Sequence, residues 1–144
     1  MNELTKNNII AEVLAPVAAA SSTDSNSDRL DMAGWDGVVF IVPITDSVAT
    51  GVATLNAQEN TADSDTGMTT VATATATSAS SDDLNNTLLI VDVYKPLKRY
   101  IQGNVVSATA NIAYGNMIAI KYKGKSAPIT DDASVSDVQT SVGV

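Results

Sequence analysis

The chain has 144 residues, room for one domain of ordinary size, and its 44% hydrophobic content includes one phenylalanine, Phe40, and one tryptophan, Trp35. It has no cysteine and no histidine, which excludes disulfides, thiol catalysis, Cys-type zinc sites and any Ser-His-Asp or Cys-His arrangement within the chain. A formal net charge of -8 makes nucleic acid a poor partner, because phosphate binding needs clustered positive charge.

These exclusions set expectations. The chain reads as a non-enzyme with no cofactor and no metal. No apolar stretch reaches the roughly 18 residues of a membrane span, so no membrane partner is expected. No secretory signal is visible, so a cytoplasmic origin is expected. A core of mostly Val, Ile, Leu and Ala is thin for this length. Some stability is therefore expected from neighbours, through homo-oligomer formation or docking on a larger partner.

Residues 1–33 read as an N-terminal arm. Ile9, Ile10, Val13, Leu14 and Val17 have roughly helical spacing, and Pro16 limits any helix there. Ser21 to Asp28 is rich in Ser, Asp and Asn and reads as linker. Residues 34–125 read as a β-sandwich domain. Val38 to Val42 is an unbroken β-branched and aromatic run that stops at Pro43, predicting a strand covered on both faces. Val52 to Ala57 alternates, with Ala53, Leu55 and Ala57 on one face. Thr73 to Thr77 alternates Thr with Ala, which suits a sheet edge or close approach to another surface.

Leu88 to Tyr94 is the second strong strand, broken at Lys95-Pro96-Leu97. Tyr100 to Val106 resumes extended structure. Gly115-Asn116, between two alternating runs, predicts a type II′ hairpin turn. In the last strand the pattern predicts Ile118, Ile120 and Tyr122 facing the core, with Ala119, Lys121 and Lys123 facing solvent or a partner. Residues 126–144 are polar and acidic and read as a C-terminal tail. About seven strands at intervals of roughly 8–12 residues predict an all-β fold, a single β-sandwich or jelly-roll-like domain with extended terminal arms.

Two local constellations have chemical interest. Asp63-Ser64-Asp65-Thr66-Gly67 resembles the start of a calcium loop, but Gly67 is one position early and Ala74 stands where such a loop needs glutamate. Ordinary turn chemistry is the simpler reading. The second is Tyr94-Lys95-Pro96-Leu97-Lys98-Arg99-Tyr100, in which two tyrosines frame three positive charges. It reads either as a solvated corner or as a docking corner for an acidic protein surface. The basic residues from Lys95 to Lys125 follow an acidic stretch from Asp24 to Asp92. The two regions either neutralise one another in the fold or make a dipolar surface.

The block from Asp28 to Phe40 and the block from Leu89 to Ile101 resemble small virion-associated proteins from the head-gene regions of tailed bacteriophages. The resemblance extends through Ala108-Thr109-Ala110-Asn111 and the last strand, over roughly residues 28–123. It implies a capsid decoration or cement protein, whose partner is the major capsid protein and whose location is the capsid surface of the virion. On that reading Tyr94, Lys95, Lys98, Arg99 and Tyr100, with Lys121 and Lys123 beside them, are the capsid or subunit contacts. A tail, neck or fibre-base component and a carbohydrate or host-surface binding module are the alternatives.

Overall fold

The computed structural model describes residues 4–122. A single helical turn, α1 (Leu4–Asn7), precedes the strands β1 (Ile9–Leu14), β2 (Val17–Ala20), β3 (Asp24–Asn26), β4 (Leu30–Asp31), β5 (Gly37–Ser47) and β6 (Val52–Asn60). Then come β7 (Thr69–Thr77), β8 (Thr87–Tyr94), β9 (Tyr100–Ala108), β10 (Ile112–Tyr114) and β11 (Met117–Tyr122). All pairings are antiparallel and form two sheets. In the first, β5 pairs with β8 on one side. On its other side lie β10 and β11, placed end to end, and beyond them β2 and β1. In the second, β6 lies between β7 and β9, and β9 carries β3 and β4 end to end.

The fold is therefore an all-β sandwich. Period-two alternation supplies its core: Val38, Phe40, Val42 and Ile44 from β5 face Ala53, Leu55 and Ala57 from β6 and Ile101 and Val105 from β9, all fully buried. Gly103 lets the sheets approach, since a Cβ there would lie 2.4 Å from Met117 Sδ and 3.1 Å from Phe40 Cδ1. Tyr114 ties them together. Its hydroxyl donates to Val106 O at 2.6 Å and accepts from Thr54 N at 3.2 Å, so it bridges two residues that are partners in the β6–β9 register. Burial pushes this phenol up to about 12, against the opposing pull of the Thr54 N–H. Tyr114→Phe is expected to cost about 1–2 kcal/mol, read as a lower urea midpoint with an unchanged slope, because the ring stays while the bridge goes.

Four expectations need correction. Residues 9–31 are neither helix nor linker. They form the outer strands of both sheets, and even the polar segment Asp24–Asn26 is a strand. Its side chains are held by Asn104, whose Nδ2 donates to Asp24 Oδ1 at 2.6 Å and Asn26 Oδ1 at 2.7 Å. Cross-strand amide bonding here outweighs weak β-propensity.

Gly115-Asn116 is not a hairpin turn. Among the described residues the glycines with positive φ are Gly34 and Gly67, so Gly115 lacks the backbone that a type II′ turn requires. It marks the gap where β10 gives way to β11 along one neighbour, β5, and its N–H donates to Pro43 O at 2.9 Å. This also explains why β5 runs through Pro43. The missing proline N–H points to the same side as that carbonyl, where the ladder is already interrupted.

The last strand faces the other way from the expectation. Met117 and Ala119 are buried and Ile118 is 39% exposed. A period of two fixes which residues share a face but not which face is inside. Small Ala119, paired with Phe40, suits the crowded side. In the same way β5 is covered on one face only, with Val39, Ile41 and Pro43 left half-buried. β6 and β7 agree with the sequence reading: Ala53, Leu55 and Ala57 are inward, and the Thr/Ala strand lies at a sheet edge with its threonines exposed.

Candidate docking surface

The β8–β9 connection, residues 95–99, forms a corner at one end of the sandwich. Lys95 adopts φ +52, and its N–H donates to Asp36 O at 2.6 Å. Glu59, buried at the end of β6, holds the tip: its Oε2 accepts from Leu97 N at 3.0 Å and Lys98 N at 3.2 Å. The backbone is thus fixed from within, while the Leu97 side chain stands 93% exposed. An exposed leucine on a fixed loop has the character of a contact residue, because little conformational entropy is lost when it is covered.

The charges around it are largely engaged. Arg99 makes a two-point contact with Asp31, Nε to Oδ1 at 3.0 Å and Nη2 to Oδ2 at 2.8 Å. Lys98 Nζ donates to Thr69 Oγ1 at 3.0 Å. Lys121 Nζ lies 5.1 Å from the Trp35 ring centroid and donates to Asp31 O at 3.3 Å. Lys95 and Arg99 lie 5.2 and 5.3 Å from the ring centroids of Tyr94 and Tyr100. A cleft of about 450 Å³ separates this corner from the 32–36 turn, with Trp35 and Asp36 opposite Lys95 and Leu97.

The fold therefore gathers Tyr94, Lys95, Lys98, Arg99, Tyr100 and Lys121 at one end, while Lys123 lies outside the described residues. Asp31 and Asp36 interleave with them, so the surface is a mixed one with an apolar tip and not a bare basic patch. Sequence reasoning missed two contributors. Leu97, an apolar residue between Pro96 and Lys98 in a strand break, carried a signal. Glu59 carried none, since its role depends on a partner 38 residues away.

The Asp31 carboxyl is held down at about 2, first by the Arg99 guanidinium and then by the Ala33 N–H. Its ordinary value is 3.8, so the stabilisation is present above about pH 4 and fades as pH falls toward 2. Asp31→Asn is expected to flatten that acid limb of the stability curve, measured by thermal unfolding at stepped pH; an unchanged limb would place the acid sensitivity elsewhere.

The calcium-like segment is occupied from inside the chain: Arg29 pairs with Asp63, and its Nη1 lies 2.9 Å from Asp65 Oδ1. Asp83 caps a turn, accepting from Ser78 Oγ at 2.6 Å and Ala79 N at 2.8 Å, and these bonds lower its pKa.

The two outer sheet faces differ in kind. The second sheet is polar outside. Thr73, Asn56, Asn104 and Asn26 form a hydrogen-bonded row across β7, β6, β9 and β3, and Gln58 pairs with Gln102 beside it. The first sheet is aliphatic outside. Register places Ile90, Ile41 and Ile118 in one row and Asp92, Val39 and Ile120 in the next. Tyr122 crosses β5 over Gly37, where a Cβ would meet its ring at 2.3 Å, and its hydroxyl donates to Asp92 Oδ1 at 2.7 Å. Burial and that carboxylate both raise the Tyr122 pKa.

No protein-family model matches the chain, and no curated protein sequence matches it. Among solved structures, the phage PBSX exported protein XepA is similar with a TM-score of 0.55 and 16% identity over 100% of this chain. The chain spans 45% of that protein, and the likeness is one of fold. Eiger TNF from S. frugiperda aligns over 94% of this chain and 99% of its own, at 10% identity and a TM-score of 0.41, too low to carry an argument. Among the described residues no helix is long and apolar enough to cross a membrane.

Proposed function

We propose that this chain is a structural virion protein that binds the outside of a phage capsid lattice and stabilises it, with no catalytic role and no cofactor. The observation that carries the reading is the corner itself: a loop pinned by buried Glu59 that presents Leu97 outward between Lys95 and Lys98. Such a contact is small and pre-organised. It becomes strong by repetition, since a lattice offers the same acceptor many times and each bound subunit bridges neighbours. Supporting it are the resemblance of residues 28–123 to virion-associated phage proteins and a phage protein with a similar fold. The major capsid protein is the partner, and the site is Tyr94, Lys95, Leu97, Lys98, Arg99 and Tyr100, with Lys121 bracing it.

Co-sedimentation with DNA-free, expanded capsid shells tests it. Saturable binding at a fixed ratio to capsid protein is expected. The pair Leu97→Asp with Lys98→Glu should reduce occupancy at least about tenfold, as for truncation of a central contact. Absence of binding, with the protein found instead at low copy number in tails, would overturn the capsid assignment in favour of another virion position.

A further inference from the structure

The outer face of the first sheet breaks the rule that the second sheet obeys. Leu88 is 56% exposed, Ile90 52% and Ile118 39%, and these surround the half-buried Ile41, Val39 and Ile120 in one continuous surface over β8, β5 and β11. Contiguous aliphatic surface on this scale is a docking feature, not scattered exposure. We infer that this face is buried against the same face of a second copy of the chain.

Charge selects that occupant. The chain carries -8 overall, so two copies repel unless they meet where charge is absent or already engaged. Among the described residues the face has two carboxylates in these rows. Asp92 accepts from the Tyr122 hydroxyl at 2.7 Å, and Glu12 accepts from Asn116 Nδ2. Among the described residues no lysine or arginine stands in the same rows to call for an acidic partner. The face thus complements itself better than it complements a charged surface.

Area allows it. With β1 added through Ile10 and Glu12, which extend the same two rows beyond β11, four strands about 4.8 Å apart, over six residues rising about 3.4 Å each with side-chain overhang, give a face of about 20 by 25 Å. Two such faces cover about 1,000 Å², the threshold for a specific interface. Two sheets packed this way repeat the geometry inside each subunit. Residues 95–99 of the corner lie outside these strand rows, so the inference does not rest on the capsid reading.

The test uses the full chain. Light scattering across a dilution series should give twice the chain mass of 14.9 kDa, or a higher even multiple. Ile90→Asp and Ile118→Asp should each shift it to the monomer, while Thr73→Asp on the polar outer face should not. A mass of 14.9 kDa up to about 100 μM, a hundredfold above a micromolar Kd, would overturn the inference. Because the aspartate variants could fail to fold, Ile118→Cys offers a milder probe in a chain that has no other thiol. Its reaction with a thiol reagent should be slowed at least about tenfold in the oligomer and restored on dilution. A reactive thiol at every concentration would sink the idea. So would a thiol protected in the monomer, which points to residues 123–144 as the cover. Protection gained only on capsid shells points to the capsid instead.

Discussion

Phe40→Ala is expected to remove about 4 kcal/mol of stability, a large part of the roughly 5–15 kcal/mol of a domain this size. The reasoning starts from composition. Phe40 is the chain's one phenylalanine, and its ring is fully buried in β5, between Ala119 of β11 and Val91 of β8. Its neighbours are small: Ala119 beside it and Gly103 across the sheets, where a Cβ would already crowd its ring edge at 3.1 Å. Two glycine- and alanine-sized positions are therefore filled by one large side chain. Without the ring, neither neighbour has atoms to occupy the space, so the cavity stays open and its full cost is felt. Phe40→Leu should lose no more than about 1.5 kcal/mol, because leucine refills most of the volume. Urea unfolding at a fixed protein concentration measures both, since self-association would otherwise move the midpoint. If the alanine variant lost under 1 kcal/mol, the core would have to be far more collapsible than its packing implies.

The same density of small residues explains what could be read from the sequence. Alternation in β6 and β7 placed their alanines on one face each, and those faces are the inward ones, opposite the Thr and Asn faces. In β11 both faces are apolar or amphipathic, so alternation carries no information on direction, and size alone points the larger aliphatics to the core. The structure puts Ala119 inside, paired with the buried Phe40, and Ile118 outside. The N-terminal strands were illegible for another reason. Asp24–Asn26 is a strand because Asn104, 80 and 78 residues away, supplies the hydrogen bonds. The corner from Tyr94 to Tyr100 stood out by composition alone. The pairing that tempers its charge did not, since Asp31 is 68 residues from Arg99 in sequence. Local pattern thus located the corner, and long-range contacts set its character.

Glu59→Ala is expected to cost about 3 kcal/mol and to release the corner from the sandwich. Glu59 is 4% exposed, and one oxygen accepts both loop N–H groups, from Leu97 and from Lys98. Alanine leaves both donors unpaired beside a partly buried cleft, and a charge-assisted bond is worth about twice a neutral one. Glu59→Gln keeps a carbonyl acceptor on the same stem and should lose nearer 1 kcal/mol. The two variants separate anchoring from charge. Amide hydrogen exchange reads the difference directly: Leu97 and Lys98 should exchange at least about tenfold faster in the alanine variant, with the β6 and β9 amides unchanged. If the corner docks on a capsid, the alanine variant should also bind shells more weakly at temperatures where it remains folded. The contact residues would be chemically intact and only their pre-organisation lost. Weakened binding with unchanged exchange at Leu97 and Lys98 would mean that Glu59 acts on the partner by another route than holding this loop.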